Sequence, residues 1–145
     1  MKRRGDDQTL DLFEVPAPRA PLPGALNIGV PLRSLLSDLL KACPSTRYEV
    51  AARMSELTGV EITKHQLDSW TAESRENWRF PVEYLPAFEV AVDSLEVTTW
   101  LADLRGARLS VGREALEAQL GKVALMRDAL AKQEKEIRRM LGDKE

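Results

Sequence analysis

At 145 residues the chain has room for one folded domain with appendages, and 43% hydrophobic and 30% charged residues are typical of a globular protein. Its 21 Lys and Arg residues against 23 Asp and Glu residues give a net charge of −2, which excludes a uniformly basic nucleic-acid coat and leaves a local basic patch. One Cys and one His exclude an internal disulfide and metal sites built on pairs of these residues, and we expect no cofactor.

The N-terminal segment is rich in proline, with four prolines between residues 16 and 23. Proline fixes φ and lacks an amide donor, so this stretch is predicted to be extended. The basic start is not followed by the apolar core of a signal peptide, and the longest apolar stretch, 25–43, is interrupted by charged residues. We therefore predict a flexible tail and linker over 1–26 and a cytoplasmic protein with no membrane partner.

A short apolar run lies inside this tail, where Gln8 precedes the sequence Leu10-Asp11-Leu12-Phe13. The run resembles the bacterial sliding-clamp binding peptide, in which a flexible strand offers adjacent apolar side chains to a pocket. The resemblance implies a sliding clamp or another replication protein as a partner for Leu10, Leu12 and Phe13. The alternative is that these side chains dock on the protein's own surface.

Helical periodicity begins after the tail and defines a predicted domain over 27–109. Leucines between residues 32 and 40 follow the i, i+3, i+4 spacing of an amphipathic helix, which Pro44 is predicted to end. Thr46 and Glu49 then form a T-x-x-E capping box, so a second helix is expected to begin there.

A third helix is predicted from a second capping box, T-x-x-Q, formed by Thr63 and Gln66. Gly59 is expected to end the helix before it, while Leu67 and Trp70 anchor the third helix from behind. Two capped helices joined by a short Gly-containing turn are typical of a helix-turn-helix.

The outward half of the third helix has side chains suited to a DNA major groove. A helix N-terminus offers free amides to a phosphate, glutamine can pair with an adenine edge, and lysine with guanine or phosphate. Arginines on either side would contact the DNA backbone and set the register. The predicted DNA-binding residues are Thr63, Lys64, His65, Gln66 and Ser69 on the third helix, together with Arg47, Arg53, Arg75 and Arg79.

The sequence RYEVAARMSELTGVEITKHQLDSWTAES, followed by RFPVEYLPAFEVAV, resembles the helix-turn-helix regulators of the phage repressor and Cro type, as found in Mu-like phages and prophages. The similarity covers residues 32–105 and implies a dimer that binds a short operator through residues 63–69. Gly59 lies eight residues after Ala51 rather than the four of the compact pattern, which indicates a longer first helix or turn.

Two more helices are predicted before residue 109. Pro81 and Pro86 bracket the start of the fourth, and Thr98 or Thr99 is expected to cap a short fifth helix that Gly106 ends. Because no segment shows the period-two alternation of a strand, the predicted fold class is all-α.

The C-terminal segment, 110–145, is predicted to be one long helix. Its apolar residues repeat every seven positions, with methionines three residues after two of them, which is the pattern of a coiled coil. Gln119 and Gln133 occupy the equivalent positions in the other heptads. The predicted homodimer seam is formed by Leu116, Val123, Met126, Leu130 and Ile137. The alternative is a long helix packed back on residues 30–105.

The functional hypothesis is a homodimeric, sequence-specific regulator that binds double-stranded DNA. We expect no enzymatic activity, because the sequence contains no Gly-rich phosphate loop and no nucleophile beside an evident base. The alternative is a non-enzymatic protein-binding adaptor, because paired capped helices also occur in bundles that never touch DNA. Between residues 46 and 109, acidic residues outnumber basic ones, which favours that alternative.

Overall fold

The computed structural model describes residues 15–75 and 77–142. Within these ranges the chain forms α-helices, one short 3-10 helix and no strand, so the predicted all-α fold class is confirmed. The helices are α1 (Gly29–Ala42), α2 (Arg47–Thr58), α3 (Lys64–Thr71), the 3-10 helix (Val82–Tyr84), α4 (Leu85–Val92), α5 (Glu96–Leu104) and α6 (Arg113–Leu141).

Local capping rules determine where α2 and α3 begin. Thr46 and Thr63 are their N-caps, and both predicted capping boxes are present, with the Glu49 and Gln66 side chains each returning to the backbone N–H of the cap residue. Gly59 ends α2 with a φ of +69°, a left-handed conformation that glycine adopts without strain. These helix ends confirm the sequence predictions.

The start of α5 differs from the prediction. The helix begins at Glu96, and Thr98 lies inside its first turn instead of capping it. Its Oγ1 donates a 2.6 Å hydrogen bond to the carboxylate of Glu89, which also accepts the Thr98 N–H at 2.8 Å. Glu89 belongs to α4 and is buried, so a side chain from another helix supplies the cap predicted for a threonine.

Thirteen buried hydrophobic side chains from the first five α-helices and the α2–α3 turn form a single core. Helix α2 packs against α3 and α4, while α1 packs against α3 and α5. Trp70 lies at one side of this core, 5.6 Å from the ring of Phe80 and 5.7 Å from that of Tyr84 between centroids. Leu67 and Trp70 face inward, as predicted.

Part of the proline-rich segment pairs with the end of α5. Pro18 forms an antiparallel bridge with Arg105, and the Arg19 N–H donates to the Leu104 carbonyl at 3.0 Å. Gly106 makes this approach possible, since a Cβ at that position would lie 2.5 Å from the Pro18 nitrogen. The segment is extended, as its prolines dictate, but residues 18 and 19 are tied to the helical domain inside the range predicted as a flexible tail.

The chain divides into two compact units, with the boundary between Arg108 and Leu109. The first contains the core. The second consists mainly of α6, a helix of 29 residues with no buried side chain. Among the described helices, none has the length and apolar character needed to cross a membrane.

Candidate nucleic-acid interface

The two-helix unit consists of α2, α3 and the turn between them, and the Ser55 side chain forms hydrogen bonds across that turn. The Ser55 hydroxyl accepts the Ile62 N–H at 2.8 Å and lies 2.8 Å from the Ala51 carbonyl oxygen, to which it donates. Ile62 is buried beneath the turn. These contacts fix the α2–α3 connection and hold Thr63 in place as the cap of α3.

The N-terminus of α3 uses two of the predicted DNA-binding residues for its own cap. The Thr63 Oγ1 accepts the Gln66 N–H at 3.2 Å, and the Gln66 Oε1 accepts the Thr63 N–H at 2.8 Å. A bidentate pair with adenine needs both the oxygen and the nitrogen of the carboxamide. Gln66 can therefore make that pair only by giving up the cap.

Two predicted cations share one carboxylate. Lys64 forms an ion pair with Asp68, and the Arg47 Nη1 lies 2.9 Å from the other oxygen of the same carboxylate. Arg47 also donates to the Thr71 hydroxyl at 3.1 Å, and the Lys64 ammonium lies 5.4 Å from the centre of the Tyr48 ring. These contacts hold both cations on the surface of the two-helix unit.

The pKa of Asp68 reflects this double contact. Burial raises the pKa, but the hydrogen bond from Lys64 and the charges of Lys64 and Arg47 outweigh burial, so the pKa lies below its ordinary value. Asp68 is consequently ionised at neutral pH and offsets part of the positive charge predicted to contact DNA.

The remaining residues of the predicted set differ in exposure. Ser69 was expected to face outward, but it is only 2% exposed, and its hydroxyl accepts a 2.9 Å hydrogen bond from the Arg75 guanidinium. This burial corrects the expectation, because position 69 lies on the core side of α3 next to Trp70. His65 is exposed, and Arg53 is exposed and paired with Glu56.

Three arginines lie close to a half-exposed tryptophan beyond the two-helix unit. The Arg33 guanidinium donates to the Arg75 carbonyl at 3.0 Å, which places an α1 side chain on the segment that follows α3. Arg33, Trp78 and Arg79 line a cavity of about 510 Å³, and Trp78 is 47% exposed. We call Arg33, Arg75, Trp78 and Arg79 the arginine–tryptophan patch.

The arginines of this patch take no part in the ion pairs found among the described residues, in contrast to Arg47, Arg53 and Lys64. Arg75 and Arg79 belong to the predicted set. Arg33 is not in the predicted set because it lies on α1, 42 residues before Arg75 in the chain, and no local pattern links the two.

The predicted partner sites outside this unit have different outcomes. The side chains of the predicted seam on α6 are all exposed, and the coiled coil stays a prediction. Leu10, Leu12 and Phe13 lie outside the described residues. Among residues 15–75 and 77–142, no group of three His, Cys, Asp or Glu side chains is arranged to hold a metal ion.

Comparison with known proteins gives no relative from which to transfer a role: no protein-family model, no curated protein and no solved structure matches this chain.

Proposed function

We propose that this protein is a sequence-specific DNA-binding regulator of the phage or prophage type, non-catalytic and cytoplasmic, which acts as a homodimer. The observation that carries the proposal is the arginine–tryptophan patch beside the capped α2–α3 unit. That unit has the order and capping of a helix-turn-helix, and the patch supplies cations that no described carboxylate neutralises.

The arginine–tryptophan patch is suited to the sugar–phosphate backbone. A guanidinium offers two parallel N–H groups to phosphate oxygens, and phosphate contacts provide most of the sequence-independent affinity for DNA. Arg79 is exposed and Arg75 extends from the segment directly after α3. In the proposed complex these arginines position α3 over the bases, a role that fixes register without reading sequence.

His65 is the exposed side chain of α3 best placed to read bases in this proposal. Lys64 is the second candidate, because it can leave Asp68 for a guanine or a phosphate when DNA approaches. The ion pair with Asp68 is about one-third exposed on both sides, so breaking it costs little. Gln66 has its place in the cap rather than in base recognition.

The experiment measures binding of the full chain to DNA from its own gene neighbourhood and to random DNA, as a function of salt. We expect sequence-dependent binding. Arg79→Ala should weaken binding to both DNAs and reduce the slope of log affinity against log salt by about one unit. The matched control is Lys132→Ala, which removes one exposed cation from α6 and should leave the slope unchanged.

A second variant uses the carboxylate that two cations share. Asp68→Asn keeps the shape of the side chain and removes its charge, so Lys64 and Arg47 become available to phosphate. In a DNA-binding protein the variant should bind random DNA several-fold more tightly, with a steeper salt dependence. An unchanged, negligible affinity in the parent chain and in both variants would contradict the proposal.

A protein-binding adaptor is the second candidate function. It is favoured by the same ion pairs, since Asp68 neutralises the two cations of the α2–α3 unit, and by the exposed apolar side chains of α6. In this alternative the Leu10–Phe13 run recruits a sliding clamp or another replication protein. A clamp pull-down by the full chain that Leu12→Ala and Phe13→Ala abolish, without any DNA shift, would favour the adaptor.

A further inference from the structure

Helix α6 has an apolar seam, and no other described residue of its unit covers this seam. The seam has two rows of side chains. The first row is the seven-residue repeat Leu116, Val123, Leu130 and Ile137, and the second row, three positions later, is Gln119, Met126, Gln133 and Met140. All of these side chains are exposed. The proposed function assigns this seam to a second copy of the chain, and the inference that follows depends on that assignment.

We propose that two α6 helices pair in antiparallel orientation. The charged residues beside the seam favour this orientation. In a parallel pair, a residue directly before the first row faces the residue five positions later in the second copy. Lys122 would then face Arg127 of the second copy, and symmetry makes this contact twice. Like charges that face each other destabilise the pair, and the same alignment brings no opposite charges together.

Antiparallel pairing reverses this balance. When the two helices overlap along their whole length, centred near Asp128, Lys122 faces Glu136 of the second copy, again twice. One like-charge contact remains in this alignment, between the two Arg127 side chains at the centre. Each Arg127 already lies 3.2 Å from the carboxylate of its own Asp128. Two opposite-charge contacts therefore replace two like-charge contacts.

The ion pairs within one copy of α6 agree with this assignment. Lys122 takes part in none of the ion pairs found in the described part of the helix, so its charge is unmatched before a second copy binds. Glu136 is paired with Arg139 at 2.6 Å on the exposed surface. Such exposed pairs contribute little, and Glu136 can exchange its partner at small cost.

The apolar layers are compatible with the same alignment. Leu116 would pack on Met140 of the second copy, and Met126 on Leu130 of the second copy. Each glutamine would face one apolar residue at the edge of the seam, from where its amide reaches solvent. Full overlap of 29 residues gives a paired length of about 43 Å.

Spin-label distances in the full-length dimer test the orientation. Cys43→Ala removes the native thiol, and Ala118→Cys and Ala131→Cys then place one nitroxide each on exposed positions outside the seam. In an antiparallel pair the labels at 118 are separated by roughly 30 Å along the axis, and those at 131 by less than about 10 Å. A parallel pair places the two labels of each pair at the same height along the axis, so the distances at 118 and 131 are about equal.

Charge reversal provides an independent test with opposite signs. Lys122→Glu should weaken an antiparallel dimer roughly three- to tenfold, because it replaces two attractions by two repulsions. It should tighten a parallel dimer. Lys132→Glu, the same change at a position outside the seam, is the matched control and should alter the dissociation constant less.

Sedimentation of the full chain separates the two claims. A dimer with a long distance at 118 and a weakened Lys122→Glu variant supports antiparallel pairing. A dimer with about equal distances at 118 and 131 overturns the orientation and leaves the homodimer intact. A monomer at tens of micromolar overturns both the homodimer and the orientation.

Discussion

The two units of this protein use the same kind of helix in different ways. In the first unit, short helices of 8 to 14 residues bury their apolar faces in a common core. In the second unit, one helix of 29 residues exposes every apolar side chain of its seam. Both are amphipathic, so amphipathicity alone does not tell where an apolar face is covered.

This difference distinguishes a helix that stabilises the fold of its own chain from a helix that binds a partner. A helix whose apolar face is covered by its own chain contributes to unfolding stability as a monomer. A helix with an uncovered face contributes mainly when another molecule covers it, since burial of apolar area supplies the free energy in both cases. We therefore expect substitutions in the two units to change different measured quantities.

The largest expected effect is in the core of the first unit. Trp70→Ala removes a buried ring that contacts Phe80 and Tyr84, and it should lower the free energy of unfolding by about 3–5 kcal/mol. Thermal or urea unfolding followed by circular dichroism measures this loss. A change below about 1 kcal/mol would contradict the assignment of Trp70 to the core.

The second prediction concerns dimerisation instead of the free energy of unfolding. Leu130→Asp places a charge in the predicted seam of α6 and should abolish dimerisation at micromolar concentration, because an unpaired charge is costly in an apolar interface. Leu125→Asp is the matched control, since Leu125 is more exposed, at 73% against 59%, and lies outside the seam. Sedimentation of both variants measures the difference.

If both variants dimerise like the parent, the seam is wrongly assigned. If Leu130→Asp instead lowers the stability of the first unit, the contrast between the two units breaks down.

A smaller effect concerns the attachment of the N-terminal segment. Gly106→Ala should cost about 1–3 kcal/mol, since it adds the strain of a left-handed backbone and places a Cβ against the Pro18 nitrogen. Gly59→Ala is the control, because Gly59 has a similar φ but no atom within 4 Å of the added carbon. The loss of unfolding free energy in Gly106→Ala beyond that in Gly59→Ala measures the attachment of the N-terminal segment. Faster proteolysis near Pro18 in Gly106→Ala would show that this attachment is broken.

The smallest predicted effect is the response to acid. Backbone and side-chain hydrogen bonds with Thr46 lower the pKa of Glu49, and the pKa of Asp68 is lowered for the reasons given above. A lowered folded-state pKa means stability that is present above the ordinary carboxylate pKa and lost as pH falls through the folded value. The two-helix unit should thus weaken below about pH 4.

Glu49→Gln removes the titrating carboxylate at the start of α2, and Asp68→Asn removes the one on α3. Each variant should therefore lose less stability between pH 7 and pH 3 than the parent chain. Unfolding curves at pH 7 and at pH 3 for the parent chain and for each variant check this. An equal loss in all three proteins would place the acid sensitivity elsewhere.

Local rules made much of the fold predictable. The starts of α2 and α3 depend on residues three apart in the chain, so Thr46 and Thr63 identified them correctly. The start of α5 depends on Glu89, which lies nine residues before Thr98 and on another helix. That cap requires the fold to bring Glu89 of α4 within hydrogen-bond distance of Thr98, and no local sequence pattern predicts this contact.

The candidate site was less predictable for the same reason. Arg75 and Arg79 could be selected from the sequence, but their absence from the ion pairs of the described residues could not be predicted. The Arg47–Asp68 contact joins two helices across 21 residues, and it withdraws a cation that looked available. The burial of Ser69 depends on which face of α3 meets the core, a matter of one position on a helix of eight residues.

The bridge between Pro18 and Arg105 also tethers the N-terminal residues to the end of α5. Five peptide units separate Pro18 from Phe13, so covalent geometry limits their separation to about 18 Å. Any molecule that captured Leu12 and Phe13 would be confined to the neighbourhood of the last turn of α5. Its effective concentration there would reach the millimolar range, and a weak contact on that surface could then bind together with the peptide.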